Sequence, residues 1–336
     1  MAPVTRESNK NSRVQAFFGF GASGPILLLL ITGACFLSLP WSLGNVAVQG
    51  GERPRYEAAN LQLALLPPVW SGLSSEDRRR VEEATKAGAY IPGLLFGTDR
   101  YGRDFFVRCL MGGTISLAIG FSAAFLSVFI GTLYGALSGW TGGRVDAVLM
   151  RLVDILFGLP YILLVVLLSV AVDGFMQREG AELSGFARQS VNVLTLLVAI
   201  GAVSWLAMAR VIRGQVLSLR ERPFIEAARA GGIPVHRQLS RHVLPNLMGP
   251  VIVYATLAVP AAILSESFLS FLGIGVNEPL PSWGNLASSG LSQLNTVESR
   301  WWLLVWPCFL IGVTLLALNF LGDHLKDRFD PVRSTP

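Results

Sequence analysis

The sequence is short of charge: only 15% of its 336 residues are Asp, Glu, Lys or Arg, against about a quarter in soluble domains. Lysine is the scarcest of these, confined to Lys10, Lys86 and Lys326. None follows a glycine-rich phosphate-cradling turn, a loop that requires its lysine. The chain therefore carries no P-loop of its own. Gly19, Gly21 and Gly24 cluster but lead into an apolar run and not a nucleotide fold. G-x-S-x-G and H-E-x-x-H are both missing, so no nucleophile elbow or zinc-protease pair points to an enzyme. Cys35, Cys109 and Cys308 lie in or beside apolar runs, far apart, and read as small buried hydrophobes. His236, His242 and His324 lack metal-ligand spacing.

What is abundant is apolar sequence, 52% of the chain. Six runs, near 22–43, 114–138, 156–173, 190–210, 249–273 and 301–322, approach or exceed the roughly 17–25 residues that cross a bilayer as a helix. Backbone groups in lipid must pair within the segment, so these runs imply an all-α integral membrane protein with six transmembrane helices. Lys10 and Arg13 precede the first run as they would a signal peptide, but no small-residue cleavage site follows, and an uncleaved anchor is the reading.

The formal charge of +5 is distributed as in a membrane protein and does not point to nucleic acid. Arg6, Lys10 and Arg13 precede the first run; seven arginines from Arg210 to Arg241 lie between the fourth and fifth; Lys326, Arg328 and Arg333 follow the sixth. The short loops near 174–189 and 274–300 hold only Arg178, Arg188 and Arg300. Positive-inside bias puts both termini in the cytoplasm. The organisation expected is a cytoplasmic tail at 1–21, a first span at 22–43, an outer segment at 44–110, a five-helix core at 111–322 and a cytoplasmic tail at 323–336. Within the outer segment, Ser74 to Ala89 reads as a soluble helix with Arg78-Arg79-Arg80 on a solvated face. Gly97 to Asp104 is a turn-rich, charged approach to the second span.

Two carboxylates stand in or beside the spans. Glu266, within Leu264-Ser265-Glu266-Ser267-Phe268, either lines a pathway or hydrogen-bonds to neighbouring serines near the outer boundary. Asp154 lies nearer the cytoplasmic side, with Arg151 three residues earlier as its expected partner.

The most informative stretch is 226–246, in a cytoplasmic loop expected at 211–247. Pro223 suits a first helical position, and the Ala-rich sequence that follows favours helix. Gly231-Gly232 breaks it as a C-cap or sharp turn would. Pro234 can open a second short helix, and Pro245 sits where the fifth span begins. A plain connection between spans needs no such design.

At these residues the chain resembles the C-type permease subunits of oligopeptide and dipeptide ABC importers. Glu226-Ala227-Ala228, Gly232 and Leu244-Pro245 keep the spacing of that family's E-A-A…G…I-x-L-P signature, with His242 at the isoleucine position. Leu95-Phe96-Gly97-Thr98-Asp99 with Gly102-Arg103-Asp104, Phe268 to Gly273 with Pro281-Ser282-Trp283-Gly284, Gly322-Asp323 and Arg328-Phe329-Asp330-Pro331 resemble further family motifs in the same order. The resemblance spans about 95–333. It implies a type I importer permease in the bacterial inner membrane, and half of a peptide pathway completed by a second homologous permease. Two ATPase subunits would bind ATP and Mg, leaving no cofactor in this chain, and an outer binding protein would deliver the substrate. It also implies that 226–246 forms a coupling helix: Glu226 contacts the ATPase, Gly232 permits the turn and Pro245 sets the angle into the fifth span. The family usually has Ser or Asp after the turn, where this chain has Pro234 and Val235. The competing reading is a self-contained secondary transporter or channel using Glu266 and Asp154.

Overall fold

The computed structural model describes residues 23–48, 51–178, 185–294 and 299–329. The N-terminal tail to residue 21, and Asp330-Pro331 and Arg333 of the C-terminal tail, lie outside them. The helices are α1 (Ser23–Leu37), α2 (Leu39–Ser42), α3 (Ser75–Lys86), α4 (Phe105–Thr141), α5 (Gly143–Phe157), α6 (Tyr161–Arg178), α7 (Gly185–Arg220), α8 (Pro223–Ala230), α9 (Val235–Gln238), α10 (Leu244–Phe271), α11 (Trp283–Leu291) and α12 (Trp302–Phe329). An antiparallel hairpin, β1 (Asn45–Val48) and β2 (Gly51–Pro54), follows α2 and pairs Asn45 with Pro54 and Val48 with Gly51.

Among the described residues, five helical stretches are long and apolar enough to cross a membrane: Gly24–Ser42, Phe105–Thr141, Gln189–Arg220, Val235–Phe271 and Trp302–Asp327. The expected third span differs. Its residues fall on two helices, the last turn of α5 and the start of α6, which meet at 91° across residues 158–160. Pro160 forces the break, since its ring and missing N–H cannot continue α5. Hydropathy also understates the helices. The second begins at Phe105 and not near 111, because Asp104 caps it: one carboxylate oxygen accepts from the N–H groups of Phe106 (3.0 Å) and Val107 (3.2 Å). At 37 residues α4 is about 55 Å long, well beyond a hydrocarbon core of about 30 Å. Its other end stops at Gly142, whose φ of +66° suits glycine. The expected loop at 211–247 contracts from both sides. Helix α7 runs to Arg220, and helix resumes at Val235, so the connection proper is 221–234.

The most extensive helix packing joins α4 to α7 along Gly131, Gly135 and Gly139, spaced four apart on one face of α4. A Cβ at Gly135 would run into the carbonyl oxygen of Ala209, one at Gly139 into that of Arg213, and one at Gly131 into Met208 and the Trp205 carbonyl. Lipid supplies no hydrophobic drive between helices, so close backbone approach through small residues holds such pairs together. The sequence reading did not single out this spacing. The largest core cluster lies beside it, with Ile119, Ala123, Leu196, Ile200 and Val165 buried among α4, α6 and α7.

The 44–104 segment covers the end of the bundle where α4 and α12 begin. Ser74 and Asp77 form a capping box at the start of α3. The helix stops at Lys86, short of the expected Ala89, and Gly88 turns the chain with φ +65°. Of the three arginines, Arg79 pairs with Glu83 on the surface (3.5 Å), while Arg80 donates to the carbonyls of Gln62 (3.0 Å) and Ala64 (2.8 Å), so only part of the triplet is a solvated face. Aromatic rings fasten the segment to α12: Phe96 stacks on Trp306 at 3.8 Å, and Trp70 meets Trp301 and Trp306 edge-on. Such a group suits the membrane–water boundary. Cys35 and Cys109 are buried as expected, but Cys308 is exposed on α12.

A Gly135→Val substitution is expected to separate α4 from α7 and abolish monodisperse protein in mild detergent. Gly214→Val, on α7 with open space around its Cβ, is expected to leave the size-exclusion profile and thermal midpoint close to wild type.

Candidate functional site

Helix α8 is held by the ends of three long helices. Its N-terminus has Arg222 in extended conformation (φ −80°, ψ 140°) and Pro223 in the first turn, where proline's missing N–H leaves no bond unmade. Ile225 and Ala228, three apart, face inward; Ile225 is fully buried with Ile212 and Val216 of α7 and Val243 and Leu247 of the chain entering α10. The Arg229 guanidinium lies 5.4 Å over the Trp140 ring near the end of α4. Arg220 binds α4 as well, donating to the Gly139 carbonyl at 2.9 Å. The remaining face of α8 is exposed and carries Glu226, Ala227 and Ala230. Glu226 makes no ion pair among the described residues.

The turn after α8 is a Schellman motif. Ile233 N–H donates to the Ala228 carbonyl (3.1 Å) and Gly232 N–H to that of Arg229 (3.0 Å). Gly232 has φ +68° with open space around it, so glycine is needed there for its backbone angle and not for a neighbour within the chain. Pro234 is the N-cap of the next helix and not its first residue as expected, and it makes no side-chain cap. Gln238 steadies the turn by donating to the Ile233 carbonyl at 2.6 Å. The expected second short helix is not separate. It passes through a π turn at Leu239–Val243 into α10. Leu244 is half-buried in the seat of α8, and Pro245 is exposed just beyond the π turn. A proline clashes with the carbonyl four residues earlier, and the wider turn relieves that crowding. His242, in the π turn, places its ring 6.5 Å from that of Phe224 on α8.

The two carboxylates are far apart in role. Glu266 is fully buried on α10; Ser270 donates to it at 2.8 Å and Ser267 at 3.3 Å, and the hydroxyls of Ser116 and Ser282 also face it. It thereby joins α10, α4 and the start of α11. Trp283 locks the same junction, donating from its ring to the Cys109 carbonyl (2.9 Å) and from its backbone to Ser116 (3.2 Å). Asp154 pairs with Arg210 of α7 at 2.8 Å and not with Arg151, because the break at 158–160 lays α5 across α7. Asp146, buried on the same helix, binds Arg213 and Ser138.

At the other end of α4 the charged approach closes into a buried knot. Arg103 donates to Asp99 at 2.6 Å; Arg108, 1% exposed, lies 3.5 Å from Asp99 and 3.9 Å from Glu278; Arg100 and Arg103 also reach Glu278, at 3.5 and 3.3 Å. The sequence reading missed Arg108 and Glu278. Among the described residues, no group of three His, Cys, Asp or Glu side chains is placed to hold a metal ion.

Removing one member of a buried ion pair leaves its partner uncompensated, at a cost of about 3–5 kcal/mol. Asp99→Asn is therefore expected to lower the thermal midpoint of the detergent-solubilised protein sharply. The exposed pair tells the opposite way: Asp154→Asn is expected to change stability by less than ~1 kcal/mol and so to leave the midpoint close to wild type in the same assay.

The family described as binding-protein-dependent transport system inner membrane component matches residues 131–334. The oligopeptide transport system permease protein OppC of Haemophilus influenzae is 46% identical over 236 residues, covering 70% of each chain. OppC of Escherichia coli is 50% identical over 239 residues, covering 71% of this chain and 72% of its own. The dipeptide transport system permease protein DppC of Bacillus subtilis is 42% identical, covering 70% and 68%. Among solved structures, the inward-facing MetNI methionine ABC transporter overlays 67% of this chain and 97% of its own matched chain, with a TM-score of 0.49 and 18% identity. By the family match and these identities, the chain belongs to the binding-protein-dependent transport system inner membrane components, the multi-pass permeases of ABC importers.

Proposed function

We propose that this permease forms half of a pathway for oligopeptides or dipeptides. A second homologous permease completes the pathway, two ATPase subunits bind ATP and Mg, one of them docked at α8, and a binding protein delivers substrate at the end covered by residues 44–104. Both termini and α8 face the cytoplasm, consistent with the arginines gathered from Arg210 to Arg241. The named relatives carry oligopeptides or dipeptides, which supports the substrate class.

The observation that carries the reading is the seat of α8. An exposed face of Glu226, Ala227 and Ala230, small enough for close approach, stands on a buried face shared by α4, α7 and α10. A partner pushing on α8 pushes on three spans at once. An ATP-linked bias follows only if that partner binds two arrangements of the spans with different affinity. Within the proposal Glu226, Ala227 and Ala228 form the docking helix, Gly232 the turn, and Leu244 and Pro245 the hinge into α10. Glu266 holds helices together, and Asp154 braces α5. A self-contained carrier would need a carboxylate facing a pathway; the hydroxyls around Glu266 and the Arg210 partner of Asp154 support structural roles for both instead.

Glu226→Lys and Gly232→Val are expected to insert normally yet lose ATPase co-purification and ATP-dependent peptide uptake in proteoliposomes. Normal uptake by both variants, or ion-gradient-driven uptake by the purified chain alone, would overturn the proposal.

A further inference from the structure

Helix α5 is absorbed neither by the spans nor by the docking site. It meets α6 at 91°. The 18 residues of α6 reach about 27 Å, close to the bilayer core, so α6 can cross without it. The hydroxyls of Tyr161 at the start of α6 and Ser204 of α7 share a hydrogen bond at 3.2 Å, and the two helices pack side by side, so α6 runs along a span and α5 runs across one. Arg144, Asp146, Arg151 and Asp154 all fall within α5, too many charges for the hydrocarbon core. Its pairs with Arg210 and Arg213 set its depth at the polar boundary.

One face of α5, with Asp146 and Val153, is buried. Val145 (52% exposed), Val148 (70%), Leu152 (48%) and Ile155 (61%) form an open apolar stripe at helical spacing. Arg144 and Arg151, one heptad apart, flank that stripe on one edge. Both are exposed, and neither makes an ion pair among the described residues, whereas Arg210 and Arg213 nearby are neutralised. An apolar stripe edged by unpaired arginines is the pattern of a helix lying in a membrane surface.

We propose that α5 is an in-plane helix seated at the headgroup level of the leaflet nearest α8, with Arg144 and Arg151 binding the phosphate groups of anionic phospholipids. This goes beyond the transport reading and stands whichever partners drive it. The test uses the full chain, with any co-purifying subunits, in phosphatidylcholine vesicles with and without phosphatidylglycerol. A nitroxide at Val148→Cys, in a Cys308→Ser background, is expected to meet lipid-soluble oxygen and not a water-soluble nickel chelate, at a depth near the headgroups. Arg144→Gln with Arg151→Gln is expected to weaken phosphatidylglycerol retention in native mass spectrometry by about fivefold for each arginine. A nitroxide shielded from both reagents would mean that protein covers the stripe, and one open to the chelate would mean that water does. Either result, or unchanged phosphatidylglycerol retention in the double variant, overturns the proposal.

Discussion

The contact on which the rest of the structure depends is the glycine-lined approach of α4 to α7. Gly131, Gly135 and Gly139 bring one backbone against the other, with the carbonyls of Trp205, Ala209 and Arg213 where side chains would otherwise stand. In lipid, this packing takes the place of the hydrophobic effect. Because α4 and α7 are both far longer than a bilayer is thick, one contact also sets the geometry beyond the membrane on each side. At one end it positions Trp140 and Arg220 for α8. At the other, the start of α4 carries Arg108 into the charged knot.

The two ends are built on opposite principles. The knot is buried at Asp99, Arg103 and Arg108, with Glu278 at its open edge, and it ties the 44–104 segment to the loop after α10. The α8 end is buried on one side and open on the other, with Glu226 unpaired among the described residues and Gly232 in clear space. A closed polar cluster specifies structure; an open one is available to a partner. Glu266 sits between them, enclosed by serine hydroxyls that join α10 to α4 and α11.

Much of the fold was legible in the sequence, because a run of about 20 apolar residues has few other uses. The helix bounds were not. Polar helical extensions such as Val235 to Val243 and the capping by Asp104 carry no hydropathy signal. Pro160 does not by itself give the 91° bend, which depends on how α5 packs across α7. At the docking site, Pro223 and the Gly231-Gly232 break were readable because turn chemistry is local. The partners that matter most are remote. Glu278 lies 175 positions from Arg103, and Arg210 lies 56 from Asp154, so a nearer candidate, Arg151, was preferred. The glycine spacing on α4 was present to be read; it passed as ordinary composition in a glycine-rich chain.

The central claim is mechanical: α8 moves with the helix ends that seat it, as one body. Spin labels at Ala227→Cys on α8 and Gly214→Cys on α7 measure this directly in the assembly proposed above, by electron–electron double resonance with and without trapped ATP. The account predicts the same distance distribution in both states. A shift of a helical turn, about 5 Å, would contradict it and make α8 a tether that moves independently of the spans.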